Sequence, residues 1–196
     1  MDASLARFVD RPLQGDGLLT RRFRAAGVFD LVGAASLIRR LPYGRIADRS
    51  QFWLVLEEGR GTCTTKHALL SELAREQGIV VQLTLAIYEM SEANTPGVGA
   101  VLAKYGLACI PEAHCFLRYE GARVDVTGVP AGAEPIDRFL LEEPIMIEQI
   151  GTYKIERHRR FLGEWLASPA GAPALSLDEA WRIREECIAA LSAATG

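Results

Sequence analysis

Apolar positions along this chain change period several times, and the changes mark its elements. From Phe29 to Leu41 they recur at three- and four-residue spacing, which predicts a helix that Pro42 stops. Asp48 to Glu58 opens on a capping-type Asp and closes before Gly59, which predicts a short helix. Thr62 to Gln77 carries Ala68, Leu69, Leu70, Leu73 and Ala74 on one stripe, with Gly78 as its stop. Ile79 to Tyr88 is rich in β-branched residues and reads as a strand. Asn94-Thr-Pro-Gly97 is a turn, and Val98 to Tyr105 a short helix. His114 to Tyr119 and Ala122 to Thr127 are two strands around Glu120-Gly121, a hairpin pattern. Gly128 to Pro135 reads as a loop, and Tyr153 to Ala167 as an amphipathic, basic helix. Ser168 to Ala174 is a connector rich in Pro, Ala and Gly. Ser176-Leu-Asp-Glu179 is a capping box that opens a last helix.

This order predicts an α+β fold, with helices on either side of hairpin-connected strands. It is expected to form one domain over 1–196, with a core at about 48–130 and helical additions at 1–47 and 150–196. A chain of 196 residues that is 49% hydrophobic can bury one sizeable core. A formal charge of −3 argues against a nucleic-acid-binding surface, which is usually basic. No apolar run approaches the ~18 residues of a membrane span. The first residues lack the basic and apolar regions of a secretory signal, so the expected setting is cytoplasmic and reducing. The four cysteines, Cys63, Cys109, Cys115 and Cys187, are then free thiols to be judged by their surroundings.

The hairpin can be read for register. With Glu120-Gly121 as a two-residue loop, Tyr119 pairs with Ala122, His114 faces Thr127, and Phe116 faces Asp125. Cys115, Leu117, Tyr119, Ala122, Val124 and Val126 then share an apolar face. His114, Phe116, Arg118, Arg123, Asp125 and Thr127 share the other. His114 and Asp125 become diagonal neighbours, and a His–Asp hydrogen bond would fix the imidazole tautomer. This register also sets Arg118 opposite Arg123, an unfavourable pair unless both splay into water. The alternative is a solvated polar face with an incidental histidine.

Cys63 falls in the first turn of the 62–77 helix, with Thr62 as its cap. Free N–H groups and the helix dipole stabilise an anion there, so a thiolate is favoured. The same N–H groups suit an oxyanion. Gly59 and Gly61 would let a substrate backbone come close. A metal reading competes: Cys63 and His67 lie four apart on one helical face, which suits zinc. His114 and Cys115 could complete the set, except that neighbouring strand residues point to opposite faces. Otherwise His67 reads as a helix-surface residue or a supporting neighbour of the site. Cys109, Cys115 and Cys187 read as structural. Glu112, near the strand entrance, could line the cleft but reads better as a loop carboxylate in solvent; Arg157-His-Arg-Arg160 could meet an acidic partner but reads better as a solvated helix face, and the three tryptophans read as packing residues.

Gly-Thr-Cys63 leading a helix with Lys66 and Leu69-Leu70, then His114 on a strand and Asp125-Val-Thr127 on the next, resembles the transglutaminase-like superfamily. The resemblance spans roughly Gln51 to Gly128. It implies a papain-like core: a central helix bearing the nucleophile, packed on an antiparallel sheet, here with extra helices at both ends. It implies Cys63 as nucleophile, His114 as general base and acid, and Asp125 as orienter. Cys115-Phe116 follow the histidine where the family often has a small residue and then Trp. No calcium-site pattern accompanies the motifs. The implied activity is thiol-dependent acyl transfer on a peptide or small amide or ester substrate, with no cofactor. The other reading on the same fold is a non-catalytic binding module.

Overall fold

A computed structural model of the protein describes residues 8–128, 132–168, 172 and 174–194. Among these residues the fold is α+β. Helices α1 (Leu18–Ala25), α2 (Leu31–Arg40), α3 (Leu54–Glu58) and α4 (Cys63–Glu76) precede strand β1 (Gln82–Met90). Helix α5 (Gly99–Lys104) leads to β2 (Ile110–Tyr119), β3 (Ala122–Val124) and β4 (Leu141–Pro144). A 3-10 turn at Ile147–Ile150, α6 (Thr152–Leu166) and α7 (Leu177–Ala194) complete the chain. The strands form an antiparallel sheet in the order β3-β2-β1-β4. The Gly128–Pro135 and Ser168–Ala174 expectations fall partly outside the described residues.

The chain separates into two compact units and crosses between them inside β1, β2 and β4 and again after Gly128 and Ile150. The first unit takes the chain up to Thr84, Cys115–Gly128 and Pro144–Ile150. The second takes Leu85–His114, Val129–Glu143 and the chain from Gly151.

In the first unit α4 packs against α1, α2, α3 and the 3-10 turn. It is buried almost all round: beyond the predicted stripe, Thr64, Thr65, Lys66, His67 and Ser71 are inside too. Its start is set by a capping box between Thr62 and Thr65. Gly78, at φ +68°, follows its end as expected. Helix α2 is capped by Asp30, whose side chain accepts the Gly33 N–H at 2.6 Å.

The second predicted helix is shorter than its pattern suggested. Asp48 spends its carboxylate on Ser50, accepting from its N–H at 2.9 Å and its hydroxyl at 2.6 Å. That local turn stops Asp48 from capping, and the helix begins only at Leu54. Helix α1 has no local cap. Glu76, at the far end of α4, accepts the Leu19 and Thr20 N–H groups, both at 2.9 Å, and so does a cap's work from 56 residues away.

Next to the turn the hairpin has the expected register, with Leu117 opposite Val124, Arg118 opposite Arg123 and Tyr119 opposite Ala122, but the pairing stops there and the expected Phe116–Asp125 and His114–Thr127 pairs are not formed. Glu120 (φ +47°) and Gly121 (φ +78°) both adopt left-handed backbone, as a type I′ turn needs. The opposed arginines neither repel freely nor splay into water. Their guanidiniums lie 5.4 and 5.0 Å from the Phe116 ring centroid, and Arg123 also binds Asp125 at 2.7 Å. Strand β2 begins at Ile110, four residues before the predicted start, and is buried through Leu117 on both faces. Strand β3 ends early, at Val124, and the reason lies in the segment that follows it.

The second unit is built on Tyr88, Met90, Val98, Leu102, Ile110, Leu162, Trp165, Ile183 and Cys187. Ser176 and Glu179 cap α7 reciprocally, as their spacing implied.

Candidate active site

Cys63 is the first residue of α4 and is 5% exposed. Its Sγ lies 3.8 Å from the Thr64 hydroxyl. The helix around it is buried, so the field of its first-turn N–H groups is weakly screened.

Asp125 lies in the same unit, just past the end of β3. From here the backbone leaves sheet pairing, so its polar groups need other partners. Three side chains supply them. Arg39 of α2 donates to the Asp125 carbonyl at 2.7 Å. The Val126 N–H donates to His67 Nε2 at 2.8 Å. Lys66 Nζ donates to the Thr127 carbonyl at 2.8 Å. The Asp125 carboxylate closes the set by accepting the Thr127 N–H at 3.0 Å and Arg123 at 2.7 Å. Gly128 ends the segment at φ +79°, and a Cβ there would stand 2.5 Å from the Arg39 carbonyl.

These bonds fix the state of His67. Because Nε2 accepts an N–H, it carries no proton, so Nδ1 carries one and donates it to the Cys63 carbonyl at 2.7 Å. The ring is neutral. Its 3.6 Å approach to Asp125 Oδ1 is therefore not an ion pair. With both ring nitrogens engaged by backbone, His67 has none left for zinc, and it is buried rather than on the helix surface. Among the described residues no group of three or more His, Cys, Asp and Glu is placed to hold a metal.

Lys66 is fully buried, with Nζ also donating to the Leu41 carbonyl at 2.6 Å. Leu41 is the C-cap of α2, where a cation complements the helix dipole. Burial lowers the Lys66 pKa to about 8; the Arg39 cation adds to this, while Cys63 and Asp125 oppose it. Gly61 turns out to serve this side chain. A Cβ on Gly61 would stand 2.9 Å from Lys66 Cγ and 3.0 Å from Val55 Cγ2. The glycine makes room for the lysine stem. Gly59, at φ +65°, is the left-handed C-cap of α3.

His114 belongs to the second unit and is 6% exposed. On β2 it shares a face with Phe116 and Arg118 by strand alternation. Its ring meets Tyr88 edge-on, with centroids 6.1 Å apart. Two residues before it, Glu112 is buried instead of solvated. Arg184 of α7 grips it with two bonds, at 2.6 and 2.5 Å. Burial alone would raise the Glu112 pKa, but the Arg184 charge and hydrogen bonds, with His158 and Lys154, hold it below its ordinary value. His158, expected on a solvated face, is buried, and its Nε2 bonds the Pro111 carbonyl at 2.9 Å. Burial lowers its pKa to about 4. Its neighbours in sequence do find partners at the surface: Arg157 pairs with Glu143, and Arg159 with Asp178.

The other thiols differ from Cys63. Cys115 is fully buried. Burial raises the Cys109 thiol and pushes Cys187 up to about 11. Sequence reasoning did not single out Lys66 or Glu112 as structurally engaged charges. The one available signal for Lys66 was its position three residues after Cys63, on the same helical face.

No family model, curated protein or solved structure matches this chain.

Proposed function

We propose that the chain is a thiol-dependent acyl-transfer enzyme on a papain-like, transglutaminase-like core. Cys63 attacks an amide or ester carbonyl of a peptide or small-molecule substrate and forms an acyl-thioester. His114 takes the thiol proton and returns it to the leaving group. Asp125 orients the imidazole. Water or an amine then resolves the thioester. This chemistry calls for no metal or organic cofactor.

The observation that carries the reading is the position of Cys63 as first residue of a capped, buried helix. A thiolate there is favoured by the free N–H groups, and the same groups suit the oxyanion of an attacked carbonyl. The two-residue turn at Glu120-Gly121, on which the reading depends, adds support. A non-catalytic binding module on the same fold is the second reading. It is favoured by the extent to which the Asp125 carboxylate is already engaged by Arg123 and Thr127. A zinc site using Cys63 and His67 is disfavoured by the engaged His67 ring.

The test is the pH dependence of iodoacetamide alkylation, followed thiol by thiol. Cys63 is expected to react fastest, with a lowered apparent pKa that rises in His114→Ala. Four slow, indistinguishable thiols would sink the enzyme reading. Zinc in the purified protein that is lost on Cys63→Ser would favour the metal instead.

A further inference from the structure

A lysine in a protein interior normally faces a carboxylate, which repays the cost of desolvating its charge. Lys66 does not. Its two hydrogen bonds go to backbone carbonyls, at Leu41 and Thr127. These dipoles solvate the ammonium, and the Asp125 charge offsets only part of it. The residue is fully buried, so that charge is poorly screened. It lies three residues after Cys63 on one helix, the spacing at which side chains share a face. The Gly61 contact with its stem holds it there.

We propose that Lys66 is a positioning residue for the nucleophile, its buried ammonium stabilising the Cys63 thiolate while its N–H groups tie the Asp125 segment to α4. This rests on the proposed role of Cys63. The charged groups that face Lys66 are Cys63 on its own helix, Arg39 from α2, and Asp125 from the segment after β3. Of these three, Cys63 acts most strongly on the lysine. The coupling is reciprocal: Cys63 favours the charged form of Lys66, so charged Lys66 favours the thiolate.

The experiment compares Lys66→Gln with Lys66→Arg. Gln keeps N–H donors for both carbonyls and removes the charge; Arg restores the charge. The readout is the pH profile of Cys63 carboxamidomethylation by mass spectrometry, with circular dichroism as the check on folding. The apparent pKa of Cys63 is expected to rise by about one unit or more in K66Q and to return toward wild type in K66R. An unmoved profile in folded K66Q overturns the proposal, because a purely structural lysine would leave it unmoved. If K66Q does not fold, the same coupling is read on folded protein from the other side. The Lys66 side chain, followed by NMR, should titrate at lower pH in Cys63→Ser than in wild type, and an identical titration overturns the proposal. The enzyme reading fails separately, if wild-type Cys63 is no more acidic than the other thiols. The difference between K66Q and wild type still decides the role of Lys66.

Discussion

Each unit of this protein buries a lysine and at least one histidine, and the two settle their charges in different ways. In the second unit the buried Glu112 is gripped by Arg184 with two charge-assisted bonds, and Lys154 adds positive charge beside it. Opposite charges meet, and the cluster is internally compensated. In the first unit the buried Lys66 is solvated by carbonyl oxygens, and His67 is a neutral bridge between the Cys63 carbonyl and the Val126 N–H. A compensated cluster holds a fold together. A cation whose hydrogen bonds all go to carbonyl dipoles keeps a field that a nearby thiol can feel. On the proposed function, that field acts on the nucleophile, Cys63.

The largest test of that contrast is Arg184→Met. It leaves Glu112 buried without its partner and should cost about 3–5 kcal/mol in urea unfolding. A loss below about 1 kcal/mol, the range of a surface pair, would break the distinction.

Acid should weaken the second unit next. His158 is held neutral in the folded state, with a pKa near 4 against an ordinary 6.5, so the unfolded chain binds the extra proton. Stability is therefore present above about pH 6.5, is lost as pH falls toward 4, and levels off below that. The loss is about 3 kcal/mol by linkage. His158→Gln should flatten this part of the pH–stability curve; an unchanged slope would place the titration elsewhere.

His67→Ala removes a neutral bridge instead of a charge. It leaves the Val126 N–H without its acceptor inside the protein, at a cost of about 1–3 kcal/mol with little pH dependence between 5 and 8. Loss that grows steeply in that range would mean the ring titrates, against the tautomer its bonds require. The smallest effect belongs to the exposed Lys104–Glu186 pair, where Lys104→Ala should change stability by less than about 1 kcal/mol.

Where interactions run between near neighbours, the sequence was legible. Thr62 and Thr65 cap α4, Ser176 and Glu179 cap α7, and Glu120-Gly121 turns a hairpin whose register follows from a two-residue loop. Each depends on residues no more than three apart or on a backbone conformation that Gly supplies. Where the partner is remote, the pattern misled. Helix α1 escaped notice because its cap, Glu76, lies at the end of α4. Glu112 and His158 looked solvated because nothing near them in sequence could compensate burial. Their partners are Arg184, 72 residues on, and the Pro111 carbonyl, 47 residues back. Gly61 was legible as a glycine that something must approach closely, but the approaching group is the chain's own lysine.

The sequence by itself determined that a thiol would open a capped helix, and that His114 would stand on a strand whose partner carries the chain to Asp125. Short-range backbone hydrogen bonding and alternation dictate those facts. Only the tertiary structure decided that Lys66 and His67 would be inside. A polar side chain can be buried only where other groups of the fold meet its hydrogen bonds. For these two, that backbone is Leu41, Val126 and Thr127, brought to α4 by packing alone.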